Sequence, residues 1–216
     1  MIDFELILPT GWVHIPTTPD LARVRARTIE AIVRTALPDT LPRDKAGPWR
    51  RRLRRELTDA TDEASRQGAR AVVLPIQEFR GVRLPGTMVL TVLEDDDTPD
   101  DPKLVLDAIL ADAGADGIAL EIGGCPAARV RQIADSDAVK RKAPSVRVDY
   151  YVAAPDAPGV WALLTFTVLT DGDVEAEPVQ AIVLLFDAIV GTLRWADRVD
   201  VPTEEEVLVA LEARDA

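Results

Sequence analysis

The chain contains one cysteine, Cys125, and one histidine, His14. A lone cysteine excludes an intrachain disulfide and a thiolate metal cage. A lone histidine makes any Ser-His-Asp or Cys-His machinery depend on His14, which lies between Trp12 and Ile15 in an apolar opening segment and reads as a hairpin or surface residue. Lysine is scarce too: Lys45, Lys103, Lys140 and Lys142 are the only four, so arginine carries the positive charge. Long apolar runs are missing. The longest, Val179 to Val190, is interrupted by Gln180 and Asp187 and falls short of the roughly 20 residues of a membrane helix, so no span is expected. The first residues, Met1-Ile2-Asp3-Phe4-Glu5, lack the basic and apolar regions of a secretory signal, and a cytoplasmic location is expected.

What is present has the balance of a folded protein. Across 216 residues, 47% are apolar and 29% charged, enough to bury a core without metals or disulfides. The formal net charge of −12 opposes unassisted binding to a phosphate backbone or an anionic bilayer.

Periodicity changes along the chain. Phe4 to Leu8 and Trp12 to Ile15 flank Pro9-Thr10-Gly11 and predict an opening hairpin. Leu21, Val24, Thr28, Ile32 and Ala36 recur at helical steps until Leu37-Pro38. After a proline-punctuated linker, Pro38 to Pro48, a second helix is expected with Trp49, Leu53, Leu57, Ala60 and Ala64 on its apolar face and Gly68 at its end. Ala71 to Ile76 and Thr87 to Leu93 form a strand pair, with Pro75 arguing for an edge or a bulge. Asp101-Pro102 starts a short helix that stops at Gly114. Strands follow at Ile118 to Ile122 and Ala128 to Ile133.

Val146, Val148, Tyr150 and Val152 then alternate with Arg147, Asp149 and Tyr151, a strand with one polar face, whereas Trp161 to Leu169 is apolar on nearly both faces and suits a central strand. Pro178 to Trp195 reads as the most hydrophobic helix. Thr203-Glu204-Glu205-Glu206 opens a tail helix with a capping box. Strands joined by short turns, with helices grouped between them, predict an α+β fold: an α/β/α sandwich on a mainly antiparallel sheet. Residues 1–200 are expected to form a single domain and 201–216 a C-terminal tail helix.

This order resembles the PsbP-like family. Leu8-Pro9-Thr10-Gly11-Trp12 with Ile15-Pro16, the closing strand pair around Tyr150 and Phe166, and the final helix with Phe186, Ile189 and Trp195 carry the resemblance, which looks closest to the family's actinobacterial branch. It implies a sandwich that serves as a binding or assembly module rather than an enzyme, and it transfers no binding residue.

Candidate sites were weighed against simpler roles. Cys125 lies in a Gly-Gly-Cys-Pro turn, where the turn itself accounts for the glycines and an inert thiol is expected. The acidic run Glu94 to Asp101 offers oxygen ligands but lacks the spacing of a calcium loop: the sixth residue from Asp95 is Asp100, not glycine, and the twelfth is Leu106, not glutamate. It reads as a solvated loop. The glycines at Gly114, Gly117, Gly123 and Gly124 do not match a phosphate-binding fingerprint.

Arg50, Arg51, Arg52, Arg54 and Arg55 stand out. They crowd the expected start of the second helix, ahead of Glu56, Asp59, Asp62 and Glu63, an order that opposes the helix dipole. A non-enzymatic protein-binding or assembly module is therefore expected, with no cofactor and no metal. Its contact residues are Arg50, Arg51, Arg54 and Arg55 on the second helix and Val207, Leu208 and Leu211 on the tail, facing a protein partner or a second copy rather than nucleic acid. The alternative is a small-ligand-binding protein or enzyme with a carboxylate and arginine cleft that the sequence does not display.

Overall fold

The computed structural model describes residues 2–38, 40, 43–78, 84–94, 101–135 and 142–197. Strands of alternating β-branched and aromatic residues build a seven-stranded sheet from β2 (Trp12–Pro16), β3 (Ala69–Pro75), β4 (Gly86–Glu94), β5 (Gly117–Ile122), β6 (Cys125–Ala134), β7 (Ser145–Ala153) and β8 (Val160–Leu169). Their order is β2-β3-β4-β8-β7-β6-β5, and every neighbouring pair is antiparallel. The α+β sandwich expected from the sequence is observed. Helices α1 (Ala22–Ala36) and α2 (Arg43–Arg66) cover β2 and β3, and α3 (Pro102–Ala113) covers β5 and β6 on the same face. The other face carries α4 (Glu177–Val190) and a two-stranded ribbon of β1 (Ile2–Glu5) with β9 (Arg194–Asp197).

Alternation along β8 feeds both layers. Ala162, Leu164, Phe166 and Val168 are buried toward α4, and Trp161 joins the cluster beneath α3. Phe166 stacks on Phe186 of α4 at a centroid distance of 4.0 Å, and Trp12 meets Phe186 edge-on at 5.2 Å. These rings tie β2 and β8 to α4, worth about 0.5–1.5 kcal/mol per aromatic pair beyond the area buried.

Four local expectations change. The opening segments do not pair as a hairpin: β1 pairs with β9 through Ile2↔Asp197 to Glu5↔Arg194, and β2 pairs with β3. Segment 6–11 separates the two strands, and the Ile7 amide is taken by the Thr192 hydroxyl at 2.9 Å.

Helix α2 starts at Arg43 and runs through Pro48, so part of the expected linker is helical. Ala46 ahead of the proline is 4% exposed, and its burial helps retain this first stretch against the loss of one helical hydrogen bond at Pro48.

Strand β3 is internal. Its irregularity lies between Ala69 and Ala71, while Pro75 sits beyond the last β4 partner, Val73↔Met88, where the missing amide costs that ladder nothing.

Helix α4 stops at Val190, and Trp195 belongs to β9, where its ring meets Phe4 at 5.7 Å. Apolar spacing could not show this stop, because Leu193 is fully buried in either geometry.

Candidate interaction surface

The arginines of α2 divide by direction. The inner side of the helix carries Leu53 and Leu57 against Ile15, Ile29, Ile32 and Val33. Beside that stripe, the Arg50 guanidinium donates to the carbonyls of Leu37, at 2.9 Å, and Pro38. It thereby serves the C-terminal end of α1, where unpaired carbonyls and the helix dipole favour a cation. Arg54 grips Glu30 of α1 with two parallel hydrogen bonds of 2.7 and 2.8 Å. That grip holds the Glu30 carboxyl below the usual carboxylate range despite its partial burial. Arg25 reaches Asp62 at 3.1 Å. Arg50 and Arg54, expected on a partner-binding face, therefore join the two helices.

Arg51 and Arg55 point the other way and make no hydrogen bond or ion pair among the described residues. Between them in sequence, Arg52 pairs with Glu56 at 2.8 Å and stands over the Trp49 ring at 5.8 Å. Trp49 was expected on the apolar face but is 60% exposed, since burial centres on Ala46, Leu53, Leu57, Thr61 and Ala64. The dipole conflict also disappears. With Arg43 as first residue, Arg50 to Arg55 lie well inside the 24-residue helix, where the end field has faded.

Charge is unevenly placed along the chain. Residues 21–68 hold 12 basic and 7 acidic side chains, a net +5, and the remainder holds 13 basic and 30 acidic, a net −17. The α1–α2 layer is thus a cationic region on an acidic protein.

An open cleft of about 890 Å³ borders this layer where α1 faces the loop before β2. Trp12, His14, Arg27, Arg34, Thr35 and Gln77 are among its lining residues. Gly11 shapes its mouth. Its φ of +84° suits glycine, an added Cβ would lie 2.8 Å from the Gln77 side chain, and its carbonyl accepts from Ile76 N at 2.9 Å.

Two polar clusters sit within the sandwich. Toward α4, Asp187 accepts from Arg129 Nε at 2.7 Å and from the Tyr150 hydroxyl. Burial, reinforced by this carboxylate, holds the Tyr150 phenol protonated far above the usual tyrosine range. On the opposite face, Asp149 is 2% exposed and accepts from Arg147 and Thr165. Both clusters are internally paired, so they position elements rather than offer free groups. Asp187, one of the two residues that interrupt the apolar run of α4, was the sequence signal for the first cluster; the polar alternation of β7 was the signal for the second.

The remaining sequence candidates do not converge. His14 is exposed on β2, at the sheet edge. Cys125 is 6% exposed, and burial with Asp156 and Glu121 nearby raises its thiol pKa, the opposite of activation. Asp101 caps α3 by accepting from Lys103 N at 2.9 Å. Residues 95–100 of the acidic run lie outside the described residues, as do Val207, Leu208 and Leu211 of the tail. Among the described residues no group of three potential metal ligands is assembled, and no helix is long and apolar enough to cross a membrane.

No family model matches the chain, and no curated protein matches it. It is similar to the solved structure of LpqN, involved in cell envelope biogenesis of Mycobacterium tuberculosis, at 14% identity over 91% of this chain and 85% of that one, with a TM-score of 0.45. It is also similar to the Ran-binding protein Mog1p of Saccharomyces cerevisiae, at 14% identity over 57% of this chain and 77% of that one, with a TM-score of 0.37.

Proposed function

We propose that the chain is a protein-binding module that docks an acidic partner protein on the outer face of α2. The observation that carries this reading is the exposed Trp49 beside Arg52, with Arg51 and Arg55 unpaired among the described residues, in the cationic region of an otherwise acidic chain. Tryptophan and arginine dominate binding energy at protein interfaces, and charge complementarity speeds encounter and selects partners. The PsbP-like resemblance, the cytoplasmic location and the single-domain organisation with a tail helix over 201–216 belong to the same proposal.

Affinity capture tests it, comparing the native chain with Arg51→Glu/Arg55→Glu and with Trp49→Ala. An acidic protein recovered by the native chain, lost with either variant and weakened by salt, is the expected result. Equal recovery by all three chains overturns the assignment.

The cleft beside β2 favours a second reading, binding of a small anionic ligand between Arg27, Arg34 and Trp12. A rise in melting temperature with a panel of small carboxylates and phosphates, abolished by Arg34→Ala, is its signature. No rise with any of them counts against it.

A further inference from the structure

The sheet ends in two edge strands, and only one of them is blunted. At the β2 edge the Trp12 amide is already taken by the Pro9 carbonyl at 3.2 Å, and Pro16 has no amide to offer. The β5 edge has no such protection. Its residues Gly117 to Ile122 include neither proline nor lysine, and Ile118 and Leu120 are 49% and 36% exposed.

The hydrogen-bond phase of β5 follows from its turn. Gly123 and Gly124, with φ of +62° and +80°, form the two-residue connection between Ile122 and Cys125. Positive φ at both central residues marks the type I′ turn of a tight hairpin, in which the flanking pair exchanges both hydrogen bonds. Alternation then assigns Ile122, Leu120 and Ile118 as hydrogen-bonded to Cys125, Ala127 and Arg129. Pro126 fits this phase, because its position opposite Glu121 demands no amide on that side. The backbone groups of Gly117, Ala119 and Glu121 therefore face outward, and none has a partner among the described residues.

We propose that β5 is a self-association edge: two copies of the chain pair antiparallel through Gly117 to Glu121 about a dyad at Ala119. In that register Gly117 meets Glu121 of the other copy, Ala119 meets Ala119, and Glu121 meets Gly117, so three hydrogen-bonded pairs form. A register shifted by two residues retains only two. The intervening pairs set Ile118 against Leu120 of the other copy on the face that carries α4, covering apolar surface from both chains. No like charges are opposed, since each Glu121 faces a glycine. The register is its own complement, as a two-fold interface requires. A six-residue strand buries less than the about 800 Å² per partner of a standard interface, so the dimer is reversible rather than obligate.

The test is sedimentation of the full chain over a concentration series into the high micromolar range. A monomer–dimer equilibrium is expected. Ala119→Pro removes an outward amide without touching the β6 ladder and raises the dissociation constant at least tenfold, with an unchanged far-ultraviolet spectrum. If that variant does not fold, Ile118→Lys/Leu120→Lys reads the same edge and has the same expected effect.

Ala119→Cys in a Cys125→Ala background gives a disulfide-linked dimer on mild oxidation. The Cα atoms of a hydrogen-bonded pair lie about 5.5 Å apart, within disulfide reach. A chain that stays monomeric throughout, or a dimer indifferent to these edge substitutions, overturns the proposal. A dimer that responds to the edge substitutions but never forms the disulfide overturns the register. Because the measurement uses purified protein alone, its failure leaves the α2 docking assignment standing.

Discussion

Tyr150 illustrates how one side chain sets a pH limit. Its phenol is buried against Asp187 and stays protonated in the folded protein, whereas an unfolded tyrosine ionises near pH 10. Above about pH 10 the native state therefore holds a proton that the unfolded state has lost. Stability is fully present below that value and falls as pH rises, by up to about 1.4 kcal/mol per unit for one such group. Tyr151 is raised in the same direction, mainly by burial, and adds to the loss. Urea unfolding between pH 8 and 11, in roughly unit steps, is expected to show the decline. Tyr150→Phe is expected to make that decline shallower and to cost about 1–3 kcal/mol at neutral pH, because the buried carboxylate loses a donor. An unchanged slope would show that the phenol does not carry the effect.

Among the elements, α2 separates two jobs that its sequence mixes. Counting arginines reveals a cationic helix, but not that Arg50 and Arg54 turn toward α1 while Arg51 and Arg55 turn away. That division depends on which side Leu53 and Leu57 bury. Arg54→Ala is expected to weaken urea stability by about 0.5 kcal/mol, a figure reduced for solvent screening because both partners are about two-fifths exposed. Arg51→Ala is expected to leave stability unchanged. If both variants unfold alike, the bidentate pair has no structural weight.

Legibility followed the range of the interactions involved. The polar face of β7 was readable because Arg147, Asp149 and Tyr151 alternate with Val146, Val148 and Tyr150 within one strand. Helix α3 was readable from Asp101-Pro102 and Gly114. The ribbon of β1 and β9 was not, since Pro9-Thr10-Gly11 looks like a local turn while the true partner of Phe4 is Trp195. The exposure of Trp49 was hidden for a related reason: its helical phase depends on a start at Arg43 that Pro48 disguises.

At the scale of the whole molecule, the pairing of the first strand with the last described one imposes an order on events. Ile2 meets Asp197, so the opening residues are among the earliest made and the last to find their place. At roughly 5–20 residues per second, synthesis leaves β1 waiting about 10–40 s while the seven-stranded sheet is still being completed. Phe4, Leu6 and Leu8, which finally cover the core beneath α4, spend that interval without their eventual neighbours. A vectorially made chain of this design closes its ribbon as a final clasp, and any event that cuts or occupies the first few residues acts on a nearly finished molecule.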